Sequence, residues 1–298
     1  RPGAGGSGNP AALVTPRLDA GLGEAAQLFA QAFARAVGLY RDVPDAVIAR
    51  GVLQLAAAPR DAERFARIAA SDIFEPGALA LIDAEAAAAR LGEPAPAALD
   101  QAAALVVDPA PILAAWAGAT VAARVTRLER HGGLWRLLDA EDCEIASADA
   151  VIVAAGLGAR DLAPDLPLQP VRGQASVVRG LSAPAAAWGG YVAPTRDGLL
   201  FGATHDRDDA ADEERASDHR RNLETLAKAL PALAARAAGL PLEGRASVRA
   251  VTPDRMPVAG ALDDGLFALT GFGSRGFSLA PLLAEHVAAL ALGAPSPI

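Results

Sequence analysis

Cysteine is nearly absent from the sequence, since Cys143 is the only one among 298 residues. A single cysteine excludes an internal disulfide, and the four histidines are too scattered to give a zinc-binding spacing. We therefore expect no structural metal and interpret Cys143 as an incidental strand or turn residue.

Long apolar runs and a targeting segment are also lacking. Alanine supplies much of the 52% apolar share, aromatic residues make up only 4%, and the sequence opens with RPGAGGSGNP. No run of about 18 apolar residues suggests a membrane helix, and the opening is neither a signal peptide nor a transit peptide. We expect a globular, cytosolic protein with one large or two ordinary domains and no membrane partner.

Basic residues are fewer than acidic ones, with 27 Lys and Arg against 35 Asp and Glu. The net charge is −8 and the isoelectric point is near 5.1. Nonspecific affinity for nucleic acid comes from clustered Lys and Arg, so this balance argues against a broad phosphate-binding surface. Any contact with RNA is expected to be local, or to be supplied by another domain.

The patterns that are present predict alternating helices and strands. Helical spacing of apolar residues covers 21–40, a second helix covers 83–91, and a third runs over 212–230 and stops near Pro231. The paired glycines Gly132 and Gly133 indicate a hairpin between two strands. From Pro170 onward, short glycine-punctuated stretches such as VRGQASVVRG and GLLFGATHD indicate antiparallel strands.

Two stretches carry most of the functional information. ADAVIVAAGLG, residues 148–158, predicts a parallel-sheet strand buried on both faces, with small residues that let a ligand approach its carboxyl end. LFALTGFGSRGFSLAPLL, residues 266–283, contains G-x-G-x-x-G. A dinucleotide fingerprint needs a following strand and an acid about 20 residues on. Residues 293–298 offer neither, so we reject that interpretation.

The order of several motifs resembles a known family. GSGNPAALVTPRLDAG, ADAVIVAAGLGARDL, PVRGQASVV, YVAPTRDGLLFGATHDRDD, SVRAVTPDRMPVAG and GFGSRGFSLAPLLAEHVA follow one another as in the D-amino-acid-oxidase and glycine-oxidase family of flavoproteins. The resemblance runs from about Gly5 to Leu292. SGNPAALVTPRLD and SRGFSLAPLLAEH resemble one subgroup in particular, the FAD-dependent oxidoreductase domain of bifunctional tRNA-modifying proteins.

The resemblance implies an α/β plus α+β architecture, in which an incomplete Rossmann-like FAD-binding domain is interleaved with an antiparallel-sheet substrate domain. The FAD-binding domain is expected to comprise residues 1–40, 105–169 and 250–298, and the substrate domain residues 41–104 and 170–249. The family's opening strand, G-x-G-x-x-G, helix and second strand are not found in this sequence. We therefore expect a fragment of a longer chain, whose FAD binding depends on that unit.

The resemblance also implies a non-covalent FAD site, because no cysteine or histidine falls where related oxidases tether the flavin. The N-terminus of the last helix is expected to face the pyrimidine edge of the flavin, where its dipole stabilises the negative charge of the reduced ring. Carried over position by position, the expected cofactor contacts are Ser7, Gly8, Asn9, Val125, Ala155, Gly156, Gly158, Gly273, Ser274, Gly276 and Phe277.

For the substrate, Arg249 matches the arginine that grips a carboxylate in amine oxidases of this family, and Arg275 and Tyr191 match residues around the same pocket. A bidentate guanidinium suits a carboxylate. The plainer alternatives are a surface salt bridge for each arginine and a buried, satisfied hydroxyl for the tyrosine. The implied chemistry is oxidation of a secondary amine, followed by hydrolysis of the imine and reoxidation of the flavin by dioxygen.

Three functional hypotheses follow. The first is an FAD-dependent oxidase that removes the carboxymethyl group from 5-carboxymethylaminomethyl uridine at the tRNA wobble position, with a methyltransferase domain fused or associated. The second is a free amino-acid oxidase acting on glycine or sarcosine. The third is an inactive fragment whose fold persists without cofactor.

Overall fold

The computed structural model describes residues 2–298, so residue 1, which the sequence assigns to the FAD-binding domain, lies outside it. Within that range the α-helices are α1 (Glu24–Arg41), α2 (Asp61–Ala69), α3 (Ala84–Leu91), α4 (Pro109–Trp116), α5 (Ala159–Leu162), α6 (Ala216–Ala229), α7 (Pro231–Ala238) and α8 (Gly276–Leu292). None of these helices is long and apolar enough to cross a membrane.

The strands of the described chain are β1 (Ala12–Val14), β2 (Val47–Leu55), β3 (Leu79–Ile82), β4 (Ala98–Val107), β5 (Arg127–His131), β6 (Leu134–Leu138), β7 (Glu144–Ala148), β8 (Val151–Val153), β9 (Gln169–Arg179), β10 (Ala186–Ala187), β11 (Tyr191–Pro194), β12 (Gly198–Gly202), β13 (Asp206–Arg207), β14 (Leu242–Val251), β15 (Val258–Asp263) and β16 (Leu266–Thr270). Two short 3-10 turns lie at Gly6–Gly8 and Gly156–Gly158.

The largest sheet has the strand order β1-β4-β2-β10-β11-β12-β9-β13, with β14 beside β9 and β3 beside β4. Its pairs are antiparallel except for β10 with β2. The glycine-punctuated strands predicted from Pro170 onward lie here, so that prediction is confirmed. Strand β9 lies between β14 on one edge and β12 and β13 on the other, and this position decides the geometry of the site.

A second, three-stranded sheet has the order β15-β16-β8, in which β16 and β8 run parallel. The parallel strand predicted within residues 148–158 is therefore confirmed, but it is only three residues long. Its predicted burial on both faces is wrong, because Ile152 is 40% exposed and faces an open cleft.

The third sheet is the meander β5-β6-β7. Gly132 and Gly133 connect β5 to β6 with φ of +60° and +89°, a conformation that favours glycine, and this confirms the predicted hairpin.

The predicted helices lie where they were expected, but their bounds differ from the prediction. The helix expected from residue 212 begins only at Ala216, after a polar stretch. Pro231 does more than end that helix, because it occupies the first turn of α7. The missing N–H of proline costs nothing at a helix N-terminus, where the N–H has no partner within the helix.

Packing of α1 on α8 fixes the position of the last helix. Phe29 of α1 shares a buried cluster with Leu279, Leu282 and Leu283 of α8. At the other end of α1, the Tyr40 hydroxyl donates a hydrogen bond of 2.9 Å to the Phe277 carbonyl. The N-terminus of α8 is thus held at a defined place beside the large sheet.

Candidate active site

One face of β14 carries the polar groups around which the site is built. Arg245, Ser247 and Arg249 occupy alternate positions of this strand, so their side chains leave the same face of the sheet. Arg245 donates hydrogen bonds of 3.0 and 2.8 Å to the carbonyls of Gly3 and Gly5. The N-terminal loop and Arg249 are therefore brought to the same face.

Arg249 lies in space that a glycine on the neighbouring strand leaves free. A Cβ atom on Gly173 would lie 2.2 Å from Arg249 Nη1 and 2.5 Å from its Cζ. The guanidinium donates one long hydrogen bond of 3.4 Å to the Thr204 carbonyl, and within residues 2–298 no carboxylate forms an ion pair with it. Burial lowers the pKa of Arg249, while Tyr191 and Asp206 act to raise it. A partly buried cation without a counter-ion favours the binding of an anion.

Tyr191 lies close to Arg249. It lies on β11, and burial raises the pKa of its phenol while the charge of Arg249 lowers it. Tyr191 and Phe277 pack against one core cluster, which also contains Tyr40. The structure thus brings Tyr191, Arg249 and the first turn of α8 to one side of the large sheet.

Arg275 contacts the segment that follows β1. Its Nη1 donates a hydrogen bond of 3.3 Å to the Pro16 carbonyl. Burial, and secondarily the charge of Arg17, lowers the pKa of Arg275 to about 10. Arg275 is thus paired with a backbone carbonyl near Arg17.

The start of α8 has the features expected of a ligand-facing helix terminus. Gly273 adopts φ of +56° and donates a backbone hydrogen bond of 2.9 Å to Ala250 of β14, and exposed Ser274 follows it. A Cβ on Gly276 would meet only Phe272 Cβ, at 3.8 Å. The chain itself therefore does not require glycine at 276, whereas a flat ring approaching the helix terminus would. This space and the helix dipole fit a flavin.

The expected Ser7–Asn9 contacts lie on the N-terminal loop. A Cβ on Gly8 would lie 2.0 Å from the Gly3 carbonyl oxygen, so the fold of this loop requires glycine there. Gly8 and Asn9 line a cleft of about 450 Å³ together with Asp108. Neither the Ser7 nor the Asn9 side chain forms a hydrogen bond within the described chain.

Three of the four remaining expected contacts border a second cleft, of about 440 Å³. Val125, Ala155 and Gly158 line it, and Val125 lies in the segment just before β5 and not in the strand itself. The Gly156 carbonyl accepts a hydrogen bond of 3.0 Å from Thr270 Oγ1, which ties this turn to β16. Strand β14 runs beside both short turns, Gly6–Gly8 and Gly156–Gly158.

Sequence reasoning missed Gly173 and Thr204, which position Arg249. A glycine inside a strand often marks the close approach of another group, and VRGQASVV offered that signal. Thr204 offered none, because its contribution is a backbone carbonyl.

The fold and this site define a family of flavin-dependent enzymes. The family model described as FAD dependent oxidoreductase (DAO) matches residues 1–290, nearly the whole sequence. The chain belongs to this family, as the sequence resemblance predicted.

Among curated relatives, the tRNA 5-methylaminomethyl-2-thiouridine biosynthesis bifunctional protein MnmC of Caulobacter vibrioides is 60% identical over 98% of this chain and 49% of its own length. The protein of the same name from Maricaulis maris is 38% identical over 97% of this chain and 46% of its own length. The chain spans about half the length of these relatives.

Two solved structures show the same fold. Glycine oxidase from Geobacillus kaustophilus superposes with a TM-score of 0.84 at 21% identity, over 99% of this chain and 86% of its own. Iminodiacetate oxidase from Chelativorans sp. BNC1 gives a TM-score of 0.81 at 21% identity, over 100% of this chain and 88% of its own. The expectation of an α/β plus α+β oxidase fold is confirmed.

Proposed function

We propose that this chain is the amine-oxidising part of a tRNA-modifying protein. Its substrate would be 5-carboxymethylaminomethyl uridine at the wobble position, and its products the primary amine on the uridine and glyoxylate. The observation that carries the proposal is the Arg249 guanidinium, which is partly buried and has no carboxylate partner within residues 2–298. A carboxymethyl group on the substrate amine supplies the missing anion.

Arg249 would bind and orient the substrate. Its planar fork can make two parallel hydrogen bonds to a carboxylate, which fixes the carbon between carboxylate and nitrogen. Gly173 leaves room for the fork, and the Thr204 carbonyl holds one of its nitrogens. Tyr191 closes the pocket beside it, and its raised pKa keeps the phenol neutral at physiological pH.

FAD is the cofactor that the family implies, and the residues at the start of α8 fit it. Gly273, Ser274, Gly276 and Phe277 would hold the flavin ring, with the open Cβ position of Gly276 as the supporting observation. Ser7, Gly8 and Asn9 would lie near its ribityl and pyrophosphate groups, and Val125, Ala155, Gly156 and Gly158 would border the adenosine side. When bound, FAD supplies the acceptor for the two electrons that leave the substrate C–H bond.

The tRNA substrate is supported by the relatives at 60% and 38% identity, whose names place them in tRNA thiouridine biosynthesis. Those relatives are named bifunctional, and we propose that a methyltransferase domain accompanies this one. The solved oxidases of similar fold are only 21% identical, so they support the architecture and not a free amino-acid substrate.

The experiment uses the protein made from its complete reading frame and purified with FAD. It is incubated in air with tRNA that carries 5-carboxymethylaminomethyl uridine, and in parallel with glycine and sarcosine. Nucleoside mass spectrometry should detect the aminomethyl product, with glyoxylate released in equal amount. Turnover of glycine or sarcosine with unchanged tRNA would instead identify a free amino-acid oxidase. Colourless protein that cannot be loaded with FAD would support the third hypothesis, an inactive fold that persists without cofactor.

A further inference from the structure

Two exposed arginines in the neighbourhood of Arg249 are not used by the proposed chemistry. They are Arg207 on β13 and Arg255 in the turn after β14, and neither forms an ion pair within residues 2–298. Arginines without an ion pair beside a binding site favour an anionic ligand outside the pocket.

Strand register places Arg207 on the same face as Arg249. Both residues lie opposite Val171 of β9, Arg249 from β14 on one edge and Arg207 from β13 on the other. Cross-strand partners project from the same face, and two strand spacings separate their Cα atoms by about 10 Å. A guanidinium at Arg207 can therefore reach beside the entrance to the Arg249 pocket.

The neighbouring acids do not neutralise Arg207. Asp206 points to the opposite face of the sheet, where it binds Arg221 at 2.7 Å and lies 3.9 Å from Arg172. Asp208 follows Arg207 in the chain but forms no ion pair with it in the described structure. The positive charge of Arg207 thus stays available to a ligand.

Arg255 lies on the turn after β14, the strand that carries Arg249, and hydrogen bonds fix the backbone of this turn. The turn follows directly after β14, and Thr252 Oγ1 donates a hydrogen bond of 2.6 Å to the Met256 carbonyl. The Asp254 carboxylate accepts the Met256 amide at 2.9 Å and so is engaged within the turn. Arg255 itself has a φ of +62° and is exposed.

His205 lies near all three arginines, Arg249, Arg207 and Arg255. It precedes β13 and follows Thr204, whose carbonyl binds Arg249. Burial and then the charges of Arg249, Arg207 and Arg255 lower the pKa of His205. Asp206 acts in the opposite direction, although its carboxylate is paired with Arg221 at 2.7 Å. The charges that act on this one imidazole place the three arginines near His205, whose neutral ring can stack on a base.

We propose that Arg207, Arg255 and His205 form a rim that binds the phosphate backbone of an RNA strand on either side of the nucleotide whose side chain enters the Arg249 pocket. This inference rests on the proposed function. A substrate the size of glycine would be held by Arg249 alone, whereas a nucleotide in tRNA carries phosphates that must lie outside the pocket. Arginine forks on exposed positions match those phosphates.

The test compares Arg207→Gln, Arg255→Gln and the double variant with the wild type, in the FAD-loaded protein from the complete reading frame. The matched control is Arg67→Gln, an exposed arginine without an ion pair in the described chain, on α2, which packs on β3 and β4 at the far end of the large sheet. Binding of fluorescently labelled modified tRNA is measured between 50 and 300 mM salt, and kcat and KM are measured with the same tRNA.

We expect each single rim variant to raise Kd and KM about fivefold at low salt, with kcat within twofold of wild type, because only ground-state binding is lost. The slope of log Kd against log salt should fall by about 0.7 for each phosphate contact removed from a single strand. Arg67→Gln should change neither value. If the wild type is active but the double variant has an unchanged Kd and an unchanged salt slope, the proposed rim is wrong and the proposed function stands. Wild type that leaves modified tRNA unaltered at saturation would overturn the proposed function, and the rim with it.

Discussion

Two glycines near the site are required for opposite reasons. At Gly173 the space for a Cβ is taken by the Arg249 guanidinium of the same chain, whereas at Gly276 the chain leaves that space open. The first glycine therefore serves the position of a side chain, and we propose that the second serves a ligand that approaches the backbone. A substitution at Gly173 should therefore impair catalysis, and one at Gly276 should impair flavin binding.

Gly173→Ala should impair catalysis more than folding. The new Cβ would lie 2.2 Å from Arg249 Nη1, so the guanidinium must move. Misplacement of a positioning group by about 1 Å can cost on the order of 100-fold in rate, and we expect kcat/KM to fall 10- to 100-fold. The control is Gly38→Ala on the exposed side of α1, where nothing lies within 4 Å of the new Cβ. Equal kcat/KM in Gly173→Ala and wild type would contradict the placement of Arg249.

Arg249→Lys should lower turnover while leaving thermal stability nearly unchanged. An ammonium cannot reproduce the two parallel bonds of the fork, and the loss of one charge-assisted bond costs on the order of 1.5 to 3 kcal/mol. This corresponds to a decrease of about 10- to 100-fold in kcat/KM. Steady-state kinetics together with a melting curve separates the two effects. A variant as active as wild type would remove the carboxylate-binding role.

Gly276→Val should reduce flavin content without unfolding the protein. The chain leaves the Cβ position of Gly276 open, and we expect α8 to retain the packing of Leu279, Leu282 and Leu283 against α1. The ratio of flavin to protein absorbance gives the flavin content, and circular dichroism follows the fold. Gly23→Val, at the unobstructed N-terminus of α1, is the matched control. Full flavin content with a much lower melting temperature would assign Gly276 to packing alone.

The two faces of β9 contact different polar groups. Val171 and Gly173 face the pocket, while the fully buried Arg172 faces α6 and contacts Asp218 at 2.5 Å. Arg221 of α6 joins this pair at 3.0 Å and also binds Asp206 of β13. The network anchors β13, and through it the rim residue Arg207, to α6. Removing one partner of such a buried pair is strongly destabilising.

The Asp206 contact predicts a pH dependence. Its hydrogen bond with Arg221, and then the charges of Arg221 and Arg172, lower the pKa of Asp206 in the folded state below its ordinary value. Its stabilising contribution is therefore present above the unfolded pKa of about 3.9 and is lost as pH falls through the folded value. We expect Asp206→Asn to lower the free energy of unfolding by about 1 kcal/mol at pH 7 and by much less near pH 2. Urea titrations at both pH values would show this, and an equal loss at the two would contradict it.

Local sequence signals predicted elements better than their contacts. Apolar spacing located α1 and the Gly132–Gly133 pair located a hairpin, because both depend on neighbouring residues. The start of α7 at Pro231 was missed, since proline both ends one helix and begins another. The Arg172–Asp218 pair could not be foreseen, because it joins a strand to a helix 46 residues away.

The resemblance to a known family predicted the fold of the whole protein, which local sequence patterns could not. Family membership and fold are confirmed by the match over residues 1–290 and by the superposition on glycine oxidase. The division of the chain into two interleaved domains and the roles of Ser7, Val125 and Arg275 stay predictions. They depend on where FAD and the substrate lie, and the protein chain alone does not fix those positions.

The proposed function requires that this protein take electrons from a carboxymethylated amine on tRNA. Rapid mixing of the FAD-loaded protein from the complete reading frame with modified tRNA, without oxygen, tests it most directly, because the visible absorption of oxidised flavin reports each transfer. We expect bleaching of that absorption in proportion to the carboxymethylaminomethyl uridine added, and none with tRNA that lacks the group. Flavin that stays oxidised with the modified tRNA but is bleached by glycine would contradict it.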